Sequence, residues 1–70
     1  MTNSLLFRKA VENAGIKYKF LAKSLGITPY GLQKKIENRS EFKASEIYLV
    51  AEVLNLSETD RNAIFFCANK

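Results

Sequence analysis

Histidine is absent from this sequence of 70 residues, and cysteine occurs once, at Cys67. Histidine is the usual general acid and base at neutral pH, and structural zinc sites need several cysteine or histidine ligands. An enzyme and a zinc-stabilised domain are therefore both disfavoured, and we expect no catalytic residues, no metal, no other cofactor and no small-molecule ligand. A single cysteine cannot close a disulfide within the chain, so we expect Cys67 to act as a small apolar residue in a reducing compartment.

Long apolar runs are also missing. No segment approaches the roughly 20 residues of a membrane span, and the N-terminal residues lack the apolar run of a signal peptide, so we expect a cytoplasmic protein without membrane contact. Three glycines and one proline are too few for a linker, whereas 47% apolar residues supply a core. Because chains usually spend about 100 to 200 residues on each domain, residues 1–70 are expected to form a single domain.

The charged residues are distributed unevenly. Residues 1–43 contain nine basic and three acidic residues, a net charge of +6, whereas residues 44–70 contain two basic and four acidic residues, a net charge of −2. A basic N-terminal part is typical of a surface that meets a polyanion such as nucleic acid. A solvated surface with no partner is the structural alternative.

Apolar residues recur with the period of a helix in almost every segment, and no segment alternates as a half-buried strand does. The pattern predicts a compact all-α domain of five helices at about 4–14, 17–25, 28–37, 44–54 and 57–66. Gly15, Gly26 and Asn55 follow three of these segments and are expected to end them in the left-handed conformation. Thr28 and Ser57 are expected to cap the first turns of the helices that follow them.

Residues 17–37 combine a helix, a short turn that contains Gly26, and a second helix that begins with a cap and Pro29. This layout is typical of a helix-turn-helix motif. The motif needs a small residue where the helices meet, an apolar residue in the turn, and apolar inward positions on the second helix. The sequence supplies these residues at the expected spacing: Ala22, Ile27, Leu32 and Ile36. Several lysines lie on the same segment, so the motif predicts DNA binding.

The segments LAKSLGI, TPYGLQKKI and EFKASEIYLVAEVLNLS resemble the XRE-like helix-turn-helix proteins, which include the Cro and repressor proteins of temperate phages and their bacterial relatives. The resemblance extends over nearly the whole chain and implies the all-helical lambda-repressor-like fold. Small Cro-like proteins are the closer match, because many phage repressors carry an additional C-terminal dimerisation domain. The resemblance implies a sequence-specific repressor of transcription that binds a palindromic operator in double-stranded DNA as a homodimer.

In such proteins the second helix of the motif lies in the major groove, where each base pair presents a distinct pattern of donors and acceptors. The resemblance implies base contacts from Thr28, Pro29, Tyr30, Gln33 and Lys34. Gln33 can bond to N6 and N7 of adenine, Lys34 can donate to O6 and N7 of guanine, and Tyr30 can contact a thymine methyl group. Structural alternatives remain, because Pro29 can simply start the helix, Tyr30 can be half-buried and Lys34 can contact phosphate.

Phosphate contacts are expected from residues around the motif: Lys17, Tyr18, Lys19, Lys35, Asn38, Arg39 and Lys43. Neutralising six phosphates would give a slope of about −5 when the logarithm of affinity is plotted against the logarithm of salt concentration. Lys17 lies where a helix usually has a polar cap, and its charge opposes the helix dipole unless a phosphate binds nearby. Gly31 should cost its helix about 1 kcal/mol relative to alanine. Close approach to DNA, contact with another helix, or simple tolerance would account for it.

Most of the aromatic side chains are expected to lie in the core: Phe7, Phe20, Phe42, Tyr48, Phe65 and Phe66. A dimer on a palindromic site also needs a self-complementary apolar surface. This surface must place the two recognition helices, which are the second helices of the two motifs, about 34 Å apart. Ile64, Phe65 and Phe66 are the candidates for this interface. The sequence does not indicate which of the three points outward.

A different class of function is also compatible with five helices. The chain can be a helical antirepressor or modulator that binds another regulator protein, in which case Gln33 and Lys34 would not matter for binding. An RNA-binding role is less favoured, because side chains cannot readily read the deep, narrow groove of A-form RNA and no stacking surface is evident.

Overall fold

A computed structural model describes residues 1–66, and these residues form five α-helices and no β-strand. The helices are α1 (Ser4–Ala14), α2 (Tyr18–Leu25), α3 (Pro29–Ile36), α4 (Ala44–Val53) and α5 (Glu58–Phe65). The all-α, five-helix prediction is therefore confirmed, and each predicted boundary agrees with the structure to within one residue. Among the described residues, no helix combines the length and the apolar character that crossing a membrane would need.

Two glycines end the first two helices as predicted. Gly15 and Gly26 have φ angles of 69° and 73°, in the left-handed region that a side chain disfavours. Their backbone N–H groups donate to carbonyls of the last helical turn, which satisfies groups that the helix itself leaves unpaired. Asn55 has a φ of 55° after α4, also as predicted, whereas the left-handed φ of 66° at Asn38 was not anticipated.

Polar side chains cap the N-termini of three helices. The Thr28 and Ser57 hydroxyls each accept a hydrogen bond of 3.0 Å from the N–H three residues later, as predicted. Asn3 caps α1 in the same way, through the Leu6 N–H. At α4 the Lys43 N–H donates to the Glu46 carboxylate at 2.8 Å. This is half of a capping box, because a lysine side chain has no acceptor with which to complete it.

The core is built from one apolar stripe of each helix. Phe7, Phe42 and Phe65 form an aromatic cluster within it, with ring centroids 5.2 to 5.9 Å apart. The buried core residues are Phe7, Val11, Leu21, Ala22, Leu32, Ile36, Ile47, Val50, Leu54, Ile64 and Phe65. Helix α2 packs against α3 and α4, and α5 packs against α1 and α4.

Three of the six aromatic residues predicted for the core lie on the surface instead. Phe20, Tyr48 and Phe66 are 55%, 63% and 60% exposed. Phe20 and Tyr48 are each one residue removed from a buried position, Leu21 and Ile47. One residue turns a helix by about 100°, so a neighbour of a core position readily faces solvent. The core prediction was correct for Phe7 and Phe65, which are buried, and for Phe42, which packs partly buried against them.

Candidate nucleic-acid interface

Helices α2 and α3 pack together as a helix-turn-helix unit. Ala22 is fully buried, which allows close approach at this point, and Leu32 and Ile36 turn the inner side of α3 into the core. Ile27 fills the turn and is half-buried against the same core. The small and apolar positions predicted for the motif are therefore occupied as expected, and they leave the opposite side of α3 facing solvent.

The outward side of α3 carries the residues predicted to contact bases. Pro29, Tyr30 and Gln33 are exposed, and Lys34 is half-buried. The Lys34 ammonium lies 5.4 Å from the centroid of the Tyr30 ring, which is 64% exposed. This is a cation–π contact that orders two long side chains on the surface. Thr28 lies at the start of the same helix, where its hydroxyl oxygen accepts from the Gly31 N–H.

Glu37, an acidic residue at the C-terminal end of α3, binds Gln33 and two arginines. One carboxylate oxygen of Glu37 accepts from Nε2 of Gln33 at 3.0 Å, and the other accepts from Nη2 of Arg39 at 3.0 Å. Arg8 of α1 approaches the same carboxylate at 3.9 Å. The hydrogen bond from Gln33, followed by the one from Arg39, lowers the pKa of Glu37, so the group is ionised at neutral pH.

Arg8 and Glu37 were missed by the sequence analysis. Arg8, Tyr18 and Gln33 line a cleft of about 250 Å³ together with Pro29, Leu32 and Ile36. The first residue of α2, the first residue of α3 and a cation from α1 therefore lie side by side. The i, i+4 spacing of Gln33 and Glu37 could have predicted their contact. No local pattern points to Arg8, which comes to α3 only through the tertiary packing.

Lys35 was predicted to contact phosphate, and in the structure its ammonium has partners within the protein. Its ammonium donates to the Glu41 carbonyl at 2.9 Å, pairs with the Glu46 carboxylate at 3.2 Å and lies 5.9 Å from the Phe42 ring centroid. Only 14% of the side chain is exposed. Burial by itself raises the pKa of Glu46, but the hydrogen bonds from the Lys43 N–H and the Lys35 ammonium together outweigh it, so the net shift of the pKa is downward. Lys35 therefore joins α3 to the following loop and to α4.

Asn38 was also predicted to contact phosphate, and in the structure its side-chain amide fastens the N-terminus. Its Oδ1 accepts from the Thr2 N–H at 2.8 Å, and its Nδ2 donates to the Thr2 carbonyl at 2.9 Å. The Ser4 hydroxyl donates to the Ile36 carbonyl at 2.5 Å. Both polar ends of the Asn38 amide are thus engaged within the protein. These bonds hold the C-terminal end of α3 against the start of α1.

The remaining predicted phosphate residues are exposed: Lys17, Tyr18, Lys19, Arg39 and Lys43. Lys17 is the N-cap of α2 and makes no side-chain capping bond among the described residues, so the predicted conflict with the helix dipole is present. Gly31 is not pressed against a neighbouring helix. A Cβ built there would lie 3.3 Å from Oγ1 of Thr28, which makes the helix cap itself the tightest neighbour.

Two of the three candidates for a dimer interface are not available on the surface. Ile64 and Phe65 are 3% and 4% exposed, because they pack into the core of their own chain. They are corrected here to core residues, and Phe66 is the exposed member of the three. Cys67 lies outside the described residues.

The fold and the site together define an all-helical helix-turn-helix domain in which the outward side of α3 carries Tyr30, Gln33 and Lys34. The family described as "Protein of unknown function (DUF739)" matches residues 2–68, and the chain belongs to this family. No curated protein and no solved structure matches the chain. Within residues 1–66, no group of three or more His, Cys, Asp or Glu side chains is placed to hold a metal ion.

Proposed function

We propose that the chain is a sequence-specific, DNA-binding regulator of transcription, a cytoplasmic Cro-like repressor that binds a palindromic operator as a homodimer. The observation that carries this proposal is the construction of α3. Its inner side is buried through Leu32 and Ile36, and its C-terminal end is fastened to α1 through Asn38. Its outer side offers Gln33 and Lys34 to a partner. A helix that is both rigidly held and polar outward can enter a groove without rearranging.

Three side chains on this outer side of α3 contact the bases. The Gln33 amide matches N6 and N7 of adenine, and Lys34 matches the acceptors of guanine. Tyr30 supplies apolar surface for a thymine methyl group and, through its ring, restricts the motion of Lys34. A good pair of hydrogen bonds to a base contributes about 1 to 3 kcal/mol of discrimination.

Phosphate contacts come from fewer residues than the sequence alone predicts. Lys35 and Asn38 are engaged inside the protein. Four exposed cations remain from the predicted set: Lys17, Lys19, Arg39 and Lys43. Arg39 also binds Glu37, but 59% of its side chain is exposed. Neutralising four phosphates for each protomer reduces the expected salt slope to about −3.6 per protomer.

Dimer formation on the operator is part of the proposal. Two recognition helices must lie about one helical turn, or 34 Å, apart to read both half-sites. Phe66 is the exposed residue of the predicted interface, so we assign the dimer contact to it. A monomer that makes one set of base contacts would bind more weakly and would show no preference for a palindrome.

Salt-dependent binding tests the electrostatic part of this proposal. Fluorescence anisotropy measures binding to a labelled duplex between roughly 50 and 200 mM salt. Lys17→Gln should flatten the slope by about one unit. Lys9→Gln is the matched control, because Lys9 lines a groove with α4 and α5 rather than the cleft beside α3, and it should leave the slope nearly unchanged. Equal slopes for wild type, Lys17→Gln and Lys9→Gln would contradict the assignment of Lys17.

The second candidate function, a modulator that binds another regulator protein, is favoured by a different part of the surface. A groove of about 600 Å³ lies between α1, the end of α4 and α5, and none of the residues assigned to DNA lines it. Phe20 and Tyr48 add exposed aromatic surface elsewhere. Binding to a regulator protein that is unaffected by Gln33→Ala and Lys34→Ala would support this function over DNA binding.

A further inference from the structure

We propose that Glu37 is a specificity-determining positioning residue, which orients the Gln33 amide so that its carbonyl oxygen and one N–H face an adenine. The inference rests on the proposed DNA-binding function. It concerns a residue that does not itself contact a base and that the sequence analysis did not select.

The geometry at Glu37 leaves the Gln33 amide one orientation. An ionised carboxylate can only accept hydrogen bonds, and Oε2 of Glu37 lies 3.0 Å from Nε2 of Gln33. Reversing the amide would place its oxygen against the carboxylate oxygen, so two acceptors would face each other. The amide nitrogen must therefore point towards Glu37, and the amide oxygen must point away from it.

The carboxylate is itself held in place from two other directions. Nη2 of Arg39 lies 3.0 Å from Oε1, and Nη2 of Arg8 lies 3.9 Å from Oε2. The two guanidinium groups offset the negative charge, which would otherwise be repelled by DNA phosphates. They also restrict the rotation of the Glu37 side chain, so the orientation that Glu37 imposes on Gln33 is maintained.

The orientation of the amide decides which base it can read. A carboxamide has two N–H groups, so after donation to Glu37 one N–H remains beside the free carbonyl oxygen. This donor and acceptor pair complements N7 and N6 of adenine. Guanine presents two acceptors on the same edge, and thymine presents an acceptor and a methyl group. A reversed or freely rotating amide could donate to each of those acceptors, whereas the fixed amide sets its oxygen against one acceptor of guanine or thymine.

Substituting glutamine for Glu37 separates this orienting effect from the effect of charge. The Glu37→Gln side chain can donate as well as accept, so it stabilises either orientation of Gln33. Glu41→Gln is the matched control, because it removes one negative charge from the same loop. Among the described residues, the Glu41 carboxylate makes no hydrogen bond or ion pair. Circular dichroism confirms that each variant is folded, and Glu37→Ala serves as a second test of the same contact.

Binding sites are selected from a randomised duplex library with the wild type, the single variants and the double variant Gln33→Ala, Glu37→Gln. The wild type should prefer adenine by about tenfold at one position of each half-site, and Gln33→Ala should lose this preference. Glu37→Gln should lower it to about threefold or less and admit thymine or guanine, whereas Glu41→Gln should retain it. In the Gln33→Ala background, Glu37→Gln should change nothing at that position.

Two outcomes overturn this inference while the proposed function stands. One is a Glu37→Gln protein that selects the same operator with an undiminished adenine preference. The other is a Gln33→Ala protein with unchanged preference at every position. A wild type that enriches no sequence overturns the DNA-binding proposal and this inference together, so the two failures are distinguishable.

Discussion

Asn38 binds both backbone polar groups of Thr2 with the two ends of its side-chain amide, at 2.8 and 2.9 Å. Thr2 is buried, and the two residues are 36 positions apart in the chain. Asn38 also has a φ of 66°, which asparagine tolerates better than most residues. The backbone of Asn38 therefore turns the chain away after α3, and its side chain anchors the start of α1 against that end of the helix.

Replacing Asn38 should destabilise the fold through both of these effects. Asn38→Ala loses both hydrogen bonds to Thr2 and also leaves an alanine at a positive φ, which alanine tolerates less well than asparagine does. We therefore expect the free energy of unfolding to fall by about 2 to 3 kcal/mol. Asn38→Gly removes the bonds but relieves the backbone strain, and should lose about 1 kcal/mol less than alanine does. Urea denaturation measures both values. Equal stabilities of Asn38→Gly and wild type would contradict the role assigned to the amide.

Lys35 should matter for stability and not for DNA electrostatics. Lys35→Met keeps the apolar stem but removes the contacts with Glu46 and with the Glu41 carbonyl, so we expect a loss of about 1 kcal/mol of stability. The slope of affinity against salt should remain within about half a unit of the wild-type value. Lys17→Gln should show the opposite pattern, because its salt slope should flatten by about one unit. A flattened slope in Lys35→Met would restore the sequence-based assignment of this lysine to phosphate.

Acidification should weaken the fold through Glu37 and Glu46. Both carboxyls have a pKa lowered from the ordinary value of 4.5. The unfolded chain therefore binds these protons more readily than the native state does. Their contribution is complete above about pH 4.5 and is lost as the pH falls towards the lowered values. The urea midpoint of the wild type should fall between pH of about 6 and about 3.5.

Glu46→Gln tests this pH dependence, with Glu41→Gln as the matched control. Glu46→Gln should lose less stability on acidification than the wild type, because one titrating group with a shifted pKa has been removed. Glu41→Gln should behave as the wild type does. An identical pH dependence in all three proteins would show that Glu46 is not linked to folding.

The nearest neighbour of a side chain at position 31 would be the cap of its own helix. A Cβ at residue 31 would lie 3.3 Å from Oγ1 of Thr28. In a Thr28→Ala background that oxygen is absent, so Gly31→Ala should gain about 1 kcal/mol from helix propensity. In the wild type the gain should be smaller by about half a kcal/mol or more, because the cap must shift. Thermal or urea unfolding of the four proteins measures this coupling, and equal gains in both backgrounds would refute it.

Local signals in the sequence were sufficient for the helices and for the motif. The stops at Gly15 and Gly26 and the cap at Thr28 depend on backbone requirements that a few neighbouring residues satisfy. The inward positions of α3 follow from the helical period, since Leu32 and Ile36 lie one turn apart. These features were predicted because their causes lie within one or two turns of the chain.

The sequence could not reveal partners that come from distant parts of the chain. Lys35 is a basic residue on the predicted DNA-binding helix, but Glu46 of α4 binds it. In the sequence Asn38 is a polar residue of a loop, and only the structure shows that its side chain binds Thr2. Phe20 and Leu21 are both large apolar residues, but only Leu21 points into the core. The direction that becomes buried depends on where α3 and α4 pack against α2. Charge and hydrophobicity identify candidates, whereas tertiary packing decides which of them remain free.

Selection of binding sites from a randomised duplex library, followed by titration of each enriched duplex across salt, tests the central claim most directly. Wild type should enrich a palindrome with half-site centres about one helical turn apart. Lys34→Ala should relax the preference at one position of each half-site and keep the palindrome. If nothing is enriched and only weak, salt-sensitive binding remains, the claim of sequence-specific DNA binding is contradicted.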